Sequence, residues 1–297
     1  MYSNVAANKR KTILLIFMFL ILISGVGYVV SLYYGNPAMF IGIALFALIY
    51  AFFGYYSSAR IALSMVGAKP VEKKDAPELY RIVENLCITA GLPMPKVYIV
   101  NDPAPNAFAT GRDPKHAVVA VNSGLLEVLD KQELEGVLAH ELSHVGNYDI
   151  RVMAIVLVLV TIVAFISDFF FRMMFWFGGD DNNSNGNIVF LLLGLAMAIL
   201  APIIASLLQL AVSRKREYLA DASGALLTRY PEGLASALEK ISKYSGEDPK
   251  GNTATAHMYF SNPLANRKRG SWVAGLFSTH PPIEERIAKL REMGGKL

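Results

Sequence analysis

Apolar residues in this chain gather into two kinds of run. Four stretches are apolar all round and reach the roughly 20 residues that a helix needs to cross a bilayer. They are Ile13–Leu32, Ala38–Tyr56, a run beginning near Val152, and Ile188–Val212. The turn "YYGNP" joins the first two, with Pro37 suited to a helix start. The third reaches Asp168 and Arg172, four apart and able to pair on one helix face. A pair of buried soluble helices is the alternative for the last two, but an uncharged run as long as Ile188–Val212 exceeds what a soluble core asks for. The first span follows "NKRK" as a signal peptide would, yet its apolar run is too long for one, so a retained anchor is expected.

Elsewhere the pattern is amphipathic. "DAPELYRIVENLCITAG" (75–91) predicts a helix with Asp75 at its N-cap, Glu78 three residues on, and a stripe of Leu79, Ile82, Val83, Leu86 and Cys87. "KVYIVN" (96–101) and "AVVAVN" (117–122) predict strands. A Pro- and Gly-rich segment lies between them and has room for a short strand at "NAFAT" (106–110). "GLLEVLDKQELEGVLAHELSHVGN" predicts two helices split near Asp130, with a stop signal at Gly146 and Asn147. Further helices are expected over 213–230, from Pro231, and from Pro281 to about Met293, with a loop over 246–270.

Composition agrees with the spans. The chain is 54% hydrophobic and 18% charged, against about 45–50% and about 25% in soluble domains. The net charge of +4 sits beside apolar runs, which argues against nucleic acid as a partner and for a bilayer. The single cysteine, Cys87, excludes an internal disulfide. Lys9, Arg10 and Lys11 precede span one; Arg60, Lys69, Lys73 and Lys74 follow span two; Arg214, Lys215 and Arg216 follow span four. The two intervening turns carry no Lys or Arg, and the second holds Asp180 and Asp181. The positive-inside bias therefore places both termini and the soluble parts in the cytoplasm. Four parts are expected: an N-terminal hairpin (1–58), a cytoplasmic part (59–151), a second hairpin (152–212) and a second cytoplasmic part (213–297).

The chemistry concentrates in "HELSH", 140–144. Residues four apart on a helix share a face, so His140 and His144 can bind one Zn²⁺, with Glu141 placed to act on a metal-bound water. Catalytic zinc takes a third protein ligand. His116, His257, His280 and Glu217 are the options. Glu217 is preferred because it lies on a helix with Asp221 four residues on, and Asp221 can then bond the free N–H of a ligand histidine. Two membrane crossings between His144 and Glu217 return both to one side. A straight helix puts Glu217 only ~7–8 Å past Val212, close to the membrane surface.

With these residues in view, the chain resembles the HtpX family of membrane zinc metalloproteases, relatives of the type I CAAX prenyl proteases. The matching segments are "HELSH", "EYLAD" (217–221), "VGAKPV" (66–71), "PNAFATG" (105–111) and "STHPPIEERI" (278–287). The resemblance implies one Zn²⁺ held by His140, His144 and Glu217, with Glu141 as general base. It implies cleavage of damaged or misfolded membrane proteins at the cytoplasmic face of a bacterial inner membrane, in a stress response. It also implies that Asn106, Ala107, Phe108, Ala109 and Thr110 form a substrate-binding edge strand. Asn106 becomes a candidate donor to the oxyanion, and His280 a second such donor or a proton donor to the leaving amine. Arg286 is expected to brace local structure, and His116 and His257 to be structural or exposed.

The expected fold is α+β and mainly helical, a gluzincin-like metalloprotease core combined with four transmembrane helices. Two rival functions are a CAAX-type processing protease with one narrow peptide substrate, and a non-catalytic adaptor or chaperone that keeps zinc for structure. Structural zinc is closed by four protein ligands, and three good ones are found here. A transporter is weaker still, since Asp168 is the one obvious intramembrane acid.

Overall fold

The computed structural model describes residues 2–177, 214–244, 260 and 281–295. In chain order the elements are α1 (Tyr2–Tyr34), α2 (Pro37–Met65), β1 (Lys69–Pro70), α3 (Pro77–Ala90), β2 (Lys96–Val100) and β3 (Ala107–Thr110). A 3-10 turn (Pro114–His116), β4 (Val118–Asn122), α4 (Ser123–Val128), α5 (Lys131–Gly146) and α6 (Asp149–Phe177) follow. The last are α7 (Arg214–Thr228), α8 (Pro231–Ser242) and α9 (Ile283–Gly294).

The first two apolar stretches fold as α1 and α2. Between them Gly35 takes a left-handed conformation (φ 63°), and Asn36 caps α2 by accepting the Ala38 N–H at 3.0 Å. Ile13, Phe17 and Ile21 on α1, and Ile49, Phe52 and Phe53 on α2, are each more than half exposed. A continuous outward apolar band of this kind fits lipid and not water. The opposite stripe, Leu15, Phe19, Ile23 and Ala47, packs on α6. Val152 to Val160 of α6 are all buried, so the first turns of the third stretch are sheltered beneath α1 and α2. Gly54 permits that contact, because a Cβ there would lie 2.4 Å from Val158 Cγ1.

Among the described residues, α1 and α2 are each long and apolar enough to cross a membrane; α5 and α6 qualify together as one span bent by 80°. The expected fourth span, 188–212, lies outside the described residues. So do His257, His280, Asp180, Asp181, the loop over 246–270 apart from Phe260, and the side chain of Arg172.

The four-stranded sheet has the order β1-β2-β4-β3, with β2 and β4 parallel and the other pairs antiparallel. One face meets Leu79, Ile82, Val83 and Leu86 of α3, Val137, Leu138 and Leu142 of α5, and Leu234 and Leu238 of α8. On the other face Phe108, Val118 and Ala120 meet Ala62, Leu63 and Val66 at the end of α2, and Leu157 of α6. The sheet is thus wedged between the layer of α3, α5 and α8 and the apolar helices.

Local signals decide where the helices start. The expected cap at Asp75 does not form: α3 begins at Pro77, with Ala76 at the cap and no side-chain bond. Proline supplies the helical φ and needs no donor at that position, so it sets the start alone. At α5 the signal is stronger. Asp130 accepts the N–H groups of Gln132 (2.9 Å) and Glu133 (3.0 Å), and Glu133 accepts that of Asp130 (2.9 Å). Glu133 also receives Ser236 and Lys240, both at 2.6 Å, which ties α8 to the start of α5. After α5 the left-handed residue is Tyr148 (φ 61°) and not Gly146, and the chain bends there into α6.

Candidate metal centre

His140 and His144 lie one turn apart on the buried face of α5, with Nε2 atoms 3.2 Å apart and rings nearly perpendicular. Glu217 enters from α7: its Oε2 is 3.8 Å from His140 Nε2 and its Oε1 is 3.6 Å from His144 Nε2. The three residues are 1%, 4% and 1% exposed, so water does not compete for them. Ligands of a tetrahedral zinc at about 2.0–2.2 Å would lie about 3.3–3.5 Å apart. The donor separations of 3.2, 3.6 and 3.8 Å run from just under that spacing to a few tenths of an ångström above it. Two imidazole nitrogens and a carboxylate turned toward one point, in a buried site, are a donor set for a divalent cation. Among the described residues this is the one group of three such side chains within range.

The crossing of α5 and α7 depends on Gly224. A Cβ there would lie 2.9 Å from the backbone nitrogen of His140, so any side chain would push the carboxylate-bearing helix away from the histidines.

The second nitrogen of each histidine is also held. His140 Nδ1 is 2.9 Å from Asp221 Oδ1. Arg286 grips the same carboxylate with two bonds, Nε to Oδ2 at 2.8 Å and Nη2 to Oδ1 at 2.7 Å. His144 Nδ1 is 3.1 Å from Asp149 Oδ2. With a carboxylate beside each Nδ1, each imidazole, when neutral, can offer its Nε2 lone pair to the site. Phe260 packs edge-on against the His140 ring at 5.0 Å and under the Arg286 guanidinium at 4.9 Å.

Burial and neighbours divide the titratable groups. Burial drives the His140 imidazole down to about 4, against the pull of Asp221. Burial also opposes charge on His144, but the Asp149 hydrogen bond and the Glu217 carboxylate outweigh it and hold the group up at about 9. Asp221 resists burial through Arg286 and His140 and falls to about 2. Glu141 is pushed up to about 8, by burial first and then against the pull of His144.

Glu141 leaves α5 toward β3, where its Oε2 accepts the Ala109 N–H at 2.8 Å. β3 is an edge strand, and its outward groups are engaged: the Ala107 carbonyl accepts the Phe260 N–H at 2.9 Å. Asn106 is buried, with its Oδ1 bonded to the Ala107 N–H at 3.1 Å and its carbonyl accepting the Asn122 N–H. His116 lies apart from the cluster, half exposed and 2.7 Å from Asp113 in the 3-10 turn.

The model of Peptidase family M48 matches residues 73–294, a segment that contains every side chain of this cluster. The chain belongs to peptidase family M48. Similar M48 proteins include a "Protease HtpX homolog" of Tropheryma whipplei, 52% identical over 297 residues, covering 100% of this chain and 99% of that protein. Another, from Dictyoglomus thermophilum, is 46% identical over 294 residues, covering 99% and 95%. The fold is also similar to the crystal structure of Ste24p from S. mikatae, with a TM-score of 0.53 at 18% identity, covering 98% of this chain and 67% of that one. This M48 chain is thus a metallopeptidase whose apolar helices fit a membrane protein.

Sequence reasoning missed Asp149, Asn8 and the Arg286 grip on Asp221. Asp149 follows "HVGNY" directly, and a carboxylate just past the helix end is a readable clue. Asn8 had none: it is 141 residues from Asp149.

Proposed function

We propose that this chain is a membrane-bound zinc endopeptidase that cleaves misfolded or damaged membrane proteins at the cytoplasmic face of a bacterial inner membrane. The observation that carries the reading is the buried His140–His144–Glu217 group with Glu141 beside it, next to the edge strand β3. When bound, Zn²⁺ would supply the Lewis acid that acidifies water and polarises a carbonyl. His140, His144 and Glu217 would hold it, and Asp221 and Asp149 would fix the two imidazoles. Glu141 takes the proton of the attacking water and returns it to the leaving amine.

An extended substrate is expected to add to β3 through backbone bonds, which tolerate many sequences. The Ala107 carbonyl and the Ala109 N–H are the outward groups, so substrate binding exchanges their bonds to Phe260 and Glu141. Asn106 lies at the start of this strand and is proposed to serve the oxyanion; His280, by sequence alone, is proposed for the same step or for the leaving amine. The orientation rests on Lys9, Arg10, Lys11 and Arg60 beside the apolar helices. Lipid and protein substrates are the partners this implies, not nucleic acid.

Detergent-purified chain should cleave casein, an unrelated unfolded protein, and lose that activity on chelation. Activity confined to one short peptide would favour the narrow processing protease, and bound zinc without any cleavage the structural role.

A further inference from the structure

We infer that Asn8, in the first turns of α1, is a positioning residue of the metal centre: it fixes the Asp149 carboxylate that orients His144. The inference rests on the reading of His140, His144 and Glu217 as metal ligands. Asn8 stands just before the apolar part of α1, yet it is only 3% exposed. Thr12, one turn on, bonds back to the Asn8 carbonyl at 3.0 Å and stays within the helix. The Asn8 side chain instead reaches across the fold. Its Nδ2 donates to Asp149 Oδ1 at 2.7 Å and to the Asn147 carbonyl at 2.9 Å. One amide therefore clasps both sides of the bend between α5 and α6, where Tyr148 sits at φ 61°.

The Asp149 carboxylate divides its two oxygens. Oδ2 faces His144 Nδ1 at 3.1 Å, and Oδ1 faces Asn8, with Arg216 Nε further off at 3.6 Å. The Asn8 Oδ1 in turn lies 3.5 Å from Arg216 Nη1. Without the amide, Oδ1 loses its short donor, and Arg216 is the neighbouring cation toward which the carboxylate can rotate. That rotation draws Oδ2 off His144 and frees the imidazole to turn. The first membrane helix is thereby linked to a proposed metal ligand through two hydrogen bonds.

The test uses the full chain in detergent, with zinc affinity measured by chelator competition and the visible spectrum recorded on the Co²⁺-loaded protein. Asn8→Ala should weaken zinc binding about tenfold, the lower end of what loss of a ligand's supporting partner costs. It should also shift the cobalt absorption at saturating metal. Leu15→Ala loosens the same helix against α6 without touching Asp149, and should leave affinity and spectrum at the wild-type values. Wild-type affinity and spectrum in Asn8→Ala would overturn the inference. Equal changes in both variants would overturn it too, by assigning the effect to helix packing. A wild-type chain that binds no zinc would instead overturn the metal reading itself, and the positioning role with it.

Discussion

Asp221 stands between two buried partners, His140 and the Arg286 guanidinium, and the balance of charge there bears on stability. Arg286 is 1% exposed. Arg286→Met should destabilise the folded chain by about 3–5 kcal/mol, because it leaves a buried carboxylate without its bidentate partner. Adding Asp221→Asn to that variant should restore part of the loss, since the uncompensated charge is then gone. Thermal melting of wild type and the two variants checks this; a single variant as stable as wild type would show that Arg286 does not carry the pair. At this scale the sequence was legible where chemistry repeats along one helix. His140, His144 and Glu141 follow from spacing, and Asp221 from its place four residues after Glu217. Arg286 and Asn8 were not legible as partners of the centre, because each reaches it from a distant element and neither sits in a local pattern that names its partner.

The crossing of α5 and α7 brings three donor atoms together, and Gly224 sets its depth. Gly224→Ala should lower zinc affinity while the fold persists, because the new Cβ meets the backbone of His140, which has nowhere to go. Gly42→Ala, in open space on α2, should leave affinity unchanged. Equal affinities in all three proteins would show that the helices can separate without cost to the centre. Cys87 tests the packing of α3. It is buried, and burial pushes its thiol up to about 11. Iodoacetamide at pH 8 should therefore spare it in the folded chain and label it in denaturant. Labelling at equal rates would mean that α3 is not docked. The apolar stripe of α3 was fully readable, since a 3.6-residue period states which face is buried. Its start was not, because Asp75 and Pro77 both signal a helix start, and proline's fixed φ won over the optional side-chain bond of the aspartate. The bend after α5 was half readable: the stop was visible, but the left-handed residue is Tyr148, a type that rarely marks such a turn.

At the scale of the molecule, the sheet lies between the apolar helices and the core that bears the centre. α1 and α2 present lipid-like faces outward, while α6 is sheltered between them and β3 for its first turns. Hydropathy alone treated α6 as equivalent to its neighbours, since it reports how apolar a helix is and not what covers it. The count of crossings is thus the part least fixed by pattern. Reporter fusions at 180–186 should give the signal of the side opposite the cytoplasm if the second hairpin crosses fully. A cytoplasmic signal would contradict the two-crossing path that returns Glu217 to the side of His144. His140, His144 and Glu217 are proposed to hold a catalytic zinc, with Glu141 moving the proton. Purified chain and its Glu141→Gln variant, each measured for zinc content and casein cleavage, test this together. Both proteins should hold one zinc, and the wild type alone should cleave casein. Undiminished cleavage by Glu141→Gln would contradict it.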